Sequence, residues 1–179
     1  MDYKHASQHD LEDHVLRMSI AWVDLMSAGF AFETLIGHPD YRVLLSSDRA
    51  ALVEAAVVAY GRAFDHSRGR GLGPEWSDYA NQAWQDEHGE LIEYRHTFVG
   101  HSDLDPRTVT IETDDSTRGW SSRVNLPVYM PGRAETALDM CKDLHFRLRR
   151  ELDDALAEMI RRERDGGPSD APLKMTLPH

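Results

Sequence analysis

Apolar residues return along much of this chain at intervals of four and three, the spacing that lines one face of an α-helix. From Asp10 to about Phe30 they stand at Leu11, Val15, Met18, Trp22, Leu25 and Met26. Asp10 is the expected N-cap there, with Asp13 in a near capping box. A second helix opens at Ser46 or Ser47 and carries Ala50, Leu52, Val53, Ala56, Val57, Tyr60 and Phe64 on one face to about His66. A third covers about Asp78 to Gly100, where Trp84, His88, Leu91, Arg95 and Phe98 share a stripe. The last starts at Pro131 and extends to about Arg164, with Leu138, Cys141, Leu144, Leu148, Leu152, Leu156 and Met159 inward.

Between these segments the pattern breaks in three ways. Gly37, Pro39 and Asp40 mark a loop. The stretch "SRGRGLGPEW", Ser67 to Trp76, interleaves glycine with charge. A phosphate loop needs a strand before its glycines, and here a helix precedes them, so the stretch reads as a flexible loop. Between Pro106 and Pro131 the period drops to two. "RTVTIET" alternates, "SRVNLPVYM" is a second β-rich run, and "DDSTRGW" between them is turn-like. Pro127 would set the second strand at an edge.

Four helices with one apolar stripe each must bury those stripes against one another. The expected fold is therefore all-α: an antiparallel four-helix bundle, with a small β-hairpin or extended insertion at about 106–130 between the third and fourth helices. One domain over residues 1–165 and a flexible C-terminal tail over 166–179 complete the expected organisation.

Composition narrows the partners. Hydrophobic residues make up 41% and charged residues 28% of 179 residues, an ordinary balance for a globular domain. The net charge of -11 argues against broad, non-specific nucleic-acid binding but leaves room for a small basic cleft. No apolar run approaches the roughly 20 residues that span a bilayer, so no membrane partner is expected. The start, "MDYKHASQHDLEDH", lacks the basic and apolar regions of a secretory signal. The single cysteine, Cys141, excludes an internal disulfide and a cysteine-based metal cluster, and fits a reducing, cytoplasmic setting. Its place on the inward face of the last helix reads as core.

The candidate chemistry lies at the end of the third helix. Arg95 sits in line with apolar residues, and a buried arginine is costly unless paired. It should either meet an acid such as Asp13, Glu33 or Glu54 across the bundle, or open onto a site. His101 follows six residues later, with Ser102 and Asp103 able to cap a turn. His88, two turns before Arg95 on nearly the same line, reads first as a core histidine. Arg62, Arg68 and Arg70 give the glycine-rich turn local positive charge. His5 and His9 share a helical spacing without a third ligand, and Asp103, Asp105, Asp114 and Asp115 follow no fixed cation-loop pattern, so no metal or cofactor is expected.

The stretch "LIEYRHTFVGHSD", with its R-x5-H core from Arg95 to His101, resembles the HEPN superfamily, and in particular its subset associated with abortive-infection proteins. The layout from Tyr60 to Asp103 is also similar: Tyr-x-Arg-x-Phe, a glycine loop, then a histidine shortly before the motif arginine. The resemblance covers about two thirds of the chain, and the insertion departs from a minimal member. It implies a helical bundle that forms a homodimer, with a composite site where two protomers meet. In catalytic members it implies metal-independent RNA cleavage, in a toxin or phage-defence setting with an antitoxin or other protein partner. His101 would then be general acid or base, Arg95 would hold the scissile phosphate, and His96 would position it; His88, Arg62, Arg68 and Arg70 would support binding. The alternative reading is a non-catalytic dimeric interaction or nucleotide-binding module of the same fold.

Overall fold

The computed structural model describes residues 3, 6–38, 47–68, 71–96, 108–114, 119–125 and 133–166. The elements are α1 (Gln8–Gly37), α2 (Ser47–Ala63), short 3-10 turns at His66–Arg68 and Pro74–Trp76, α3 (Gln82–Tyr94), β1 (Thr108–Asp114), β2 (Gly119–Asn125) and α4 (Ala134–Gly166). The fold is a helical one, built around α1, α2 and α4. β1 and β2 pair antiparallel, from Thr108 opposite Asn125 to Asp114 opposite Gly119. They fall inside the stretch whose period is two; the connection between them and Pro127 lie outside the described residues.

α1 begins two residues before the expected start because Ser7, not Asp10, is its N-cap. The Ser7 hydroxyl accepts from the Asp10 N–H at 3.1 Å, and the Asp10 carboxylate accepts from the Ser7 N–H at 3.2 Å. This reciprocal box satisfies two amides that the first turn would otherwise leave unpaired. α1 also continues to Gly37 instead of stopping near Phe30. Gly29 does not end it because the next turns bury Ala31, Phe32 and Leu35, and packing outweighs glycine's weak helix preference.

α1 and α4 run antiparallel. His14 meets Glu151, Trp22 stacks on His145 at 5.0 Å, and Gly29 lies against Cys141, so positions rise on one helix as they fall on the other. Leu11, Val15, Met18, Leu25, Phe32 and Leu35 of α1 join Met140, Leu144, Leu148 and Met159 of α4 and Val57 and Tyr60 of α2 in one core. On α1 and α4, two residues expected inward point out: Met26 is 47% exposed and Leu156 is 39% exposed. Met26 belongs to a different stripe, with Val23 and Phe30, on the side of α1 that faces neither α2 nor α4. By length and composition α1 is apolar enough to cross a membrane, and 44% of its most apolar window is buried inside the protein.

The glycine-rich stretch is not a loose connector over its described part. The Leu72 N–H donates to the Ala63 carbonyl at 2.8 Å, and the Leu72 side chain is 1% exposed. The chain thus folds back onto the end of α2. Gly71 permits this, since a Cβ there would stand 2.7 Å from the Asp65 carbonyl carbon. α3 starts at Gln82 rather than near Asp78, because the Asn81 side chain accepts from the Ala83 N–H at 2.9 Å and caps the helix there. α3 is tied to the start of α4 by Arg133, which lies 3.1 Å from the buried Glu87 and also pairs with Glu90.

Candidate functional site

The end of α3 crosses the end of α2, and a cavity of about 340 Å³ opens where they meet. Arg95, His96, His88, Asp65 and His66 all line it. Three of the residues singled out in the sequence, Arg95, His96 and His88, are therefore neighbours. Arg95 and His96 form a wider helical turn just past α3.

Arg95 is paired, but not with an acid across the bundle. Its Nη2 donates to Asp65 Oδ2 at 2.6 Å, and the two side chains are 21% and 31% exposed. Asp13, Glu33 and Glu54 are not its partners; Asp65, just past the end of α2, is near in space because the chain crosses there. Asp65 also accepts from the Ser67 N–H at 2.8 Å. The hydrogen bonds from Ser67 and then Arg95 pull its carboxyl down to about 2. Arg95 reaches Asp65 by lying over Gly61, where a Cβ would stand 2.0 Å from the arginine Cδ. The glycine of "YGRAF" is thus the seat of the motif arginine.

His88 is held by the core. Its Nδ1 is 2.8 Å from the Tyr60 hydroxyl, and its ring meets Phe64 edge-on at 4.7 Å. Burial lowers the pKa of His88 and raises that of Tyr60 well above its usual value. The ring is therefore held neutral, hydrogen-bonded to the phenol. His96 and His66 are exposed. Arg62 turns away to α1, where it pairs with Asp24 at 2.7 Å; burial raises the Asp24 carboxyl while Arg62 opposes that shift. Arg62 does not line the cavity. His101, Ser102, Asp103, Asp105, Asp115, Arg70, His5 and the side chain of Arg68 lie outside the described residues. Cys141 is buried in the core and its thiol is pushed up by that burial. No three of His, Cys, Asp and Glu converge as a metal site among the described residues.

A larger cavity, about 690 Å³, lies on the other side of the glycine-rich stretch, between α1 and α4. Arg17 and His14 reach it from α1, Arg147, Arg150 and Glu151 from α4, and His66 borders both cavities. Sequence reasoning singled out neither Arg17 nor Arg150. The available signal was that the α1 pair is three apart, as are Arg147 and Arg150, so each pair shares a helix face. Which two faces would meet was not readable from spacing. Compared with protein-family models, with curated proteins and with solved structures, the chain has no match.

Proposed function

We propose that this chain is a HEPN-like helical module that acts as a dimer through binding, without catalysis, and that Arg95 serves to hold the end of α3 against the glycine-rich stretch. The observation that carries this reading is the Arg95–Asp65 ion pair at 2.6 Å, formed over Gly61. A guanidinium already committed to a carboxylate is poorly placed to neutralise a phosphate, because the acid competes for the same charge. The exposed apolar residues Val23, Met26 and Phe30, at helical spacing on α1, support the dimer. The test is a pair of measurements on the purified full chain. RNA should stay intact in the presence of EDTA, and Arg95→Ala should lower Tm clearly. RNA cleavage that disappears in both Arg95→Ala and His101→Ala would overturn this reading.

The second reading, a metal-independent endoribonuclease of toxin or phage-defence type, is favoured by one observation. Only Nη2 of Arg95 is used in the pair, and the cavity that Arg95 lines also carries the exposed imidazoles of His66 and His96. In that reading RNA displaces Asp65, and His101 supplies the general acid or base. An antitoxin or another protein partner belongs to the same proposal.

A further inference from the structure

The 690 Å³ cavity is a separate site with its own chemistry. Arginines in this acidic protein are mostly tied to carboxylates: Arg62 to Asp24, Arg95 to Asp65, Arg133 to Glu87, Arg149 to Asp153, and Arg161 and Arg162 to Glu158. Among the described residues Arg17, Arg49, Arg150 and Arg164 have no such carboxylate, and two of them, Arg17 and Arg150, line this one cavity. Arg150 makes no ion pair or side-chain hydrogen bond among the described residues. Arg17 donates from Nη2 to His14 Nδ1 at 3.3 Å, a neutral acceptor, and its Nε is buried without a hydrogen-bond partner.

Arg17 is also held in position from behind. Glu151 Oε1 lies 3.1 Å from His14 Nε2, and the Tyr3 hydroxyl donates to the same carboxylate. Since His14 Nδ1 accepts from Arg17, its Nε2 carries the proton and donates to Glu151. The chain Glu151–His14–Arg17 fixes the guanidinium without neutralising it. Arg147 forms a wall: its Cζ lies 5.1 Å from the centre of the Trp76 ring, and its guanidinium donates to the Glu75 and Trp76 carbonyls.

We infer that this cavity binds a small phosphate monoester, with the phosphate bridging Arg17 and Arg150. Two unpaired guanidiniums match a doubly charged tetrahedral head better than a single carboxylate. Glu75 and Asp154 also line the cavity. They repel an extended polyanion and suit a ligand whose remainder carries hydroxyl donors. The volume lies within the roughly 300–1,000 Å³ usual for small-molecule sites.

The test uses the full chain with glycerol 3-phosphate as probe, followed by phosphorus NMR and by Tm at constant ionic strength against chloride. The probe should broaden and should raise Tm. Arg150→Gln and Arg17→Gln should each weaken it by about tenfold or more. Arg149→Gln, one residue along and already paired with Asp153, should leave binding unchanged. Arg150 is exposed, so its variant reads out even if Arg17→Gln fails to fold. No shift beyond chloride, or equal weakening in Arg149→Gln and Arg150→Gln, overturns the site.

Discussion

Arg95 crosses Gly61 so closely that a methyl group at the glycine would stand 2.0 Å from the arginine Cδ. Gly61 lies inside α2, where glycine is a poor choice on helix propensity alone. Its presence is explained by the guanidinium that must pass over it to reach Asp65. Gly61→Ala should therefore destabilise the protein, because Arg95 is pushed off its carboxylate. In an Arg95→Ala background the same change should stabilise by up to about 1 kcal/mol, the ordinary helix preference of alanine over glycine. A double-mutant cycle by urea denaturation reads this reversal of sign. Equal destabilisation in both backgrounds would show that Gly61 answers to something other than Arg95.

Asp65 gives that arrangement an acid limit. Its carboxyl is lowered from 3.8 to about 2 by Ser67 and Arg95. A depressed carboxyl stabilises the fold above its unfolded pKa and loses that contribution as pH falls through the folded one. The loss belongs between about pH 4 and pH 2. Wild-type Tm should fall more steeply over that window than Tm of Asp65→Asn, which starts lower and lacks the titration. Parallel curves would mean that the pair contributes no linkage.

His88 sets a second, milder limit. Burial against Tyr60 and Phe64 lowers its pKa below 6.5, so the neutral ring is the folded form. Stability from this group is fully present above the unfolded pKa and declines as pH drops below it. His14, also lowered by burial but partly compensated by Glu151, titrates in the same direction. Unfolding followed from about pH 7.5 to about pH 5.5 should show decreasing stability. Replacing His88 with Phe should flatten part of that slope and leave the His14 share.

Much of the helical frame was legible in the sequence, because four stripes at a helical period leave few ways to bury them. The stripe of α4 from Leu144 to Met159 is such a case. What escaped was set by contacts distant along the chain. Asp10 looked like a cap, yet Ser7 takes that place and Asp10 becomes the third helical residue of the reciprocal box. Periodicity alone ends α1 near Phe30, yet Phe32 and Leu35 are buried beyond that point. The glycine-rich loop looked loose, yet Leu72 seals the end of α2. At the candidate site, Arg95 announced itself by standing among apolar residues. Its partner did not, since Asp65 is brought close only by the crossing of α2 and α3. The convergence of Arg17 with Arg150 depended in the same way on which faces of α1 and α4 meet.

Phe30 is 71% exposed, and with Val23 and Met26 it forms a stripe on α1 at three- and four-residue spacing. The neighbouring hydroxyls ask nothing of a partner: Ser27 donates to the Val23 carbonyl at 2.9 Å and Thr34 to the Phe30 carbonyl at 2.8 Å. A surface with its polar groups satisfied internally and three large apolar groups outward suits a second copy of the same helix. Phe146, 62% exposed on α4, has no such neighbours at helical spacing and is an ordinary isolated apolar residue. Under the dimeric reading, light scattering after gel filtration should give twice the chain mass. Phe30→Asp should shift the protein to monomer by burying a carboxylate in the contact, a cost of several kcal/mol. Phe146→Asp should leave the dimer intact. A wild-type monomer at micromolar concentration, or a dimer unmoved by Phe30→Asp, would remove α1 as the interface and with it the main structural support for a dimer.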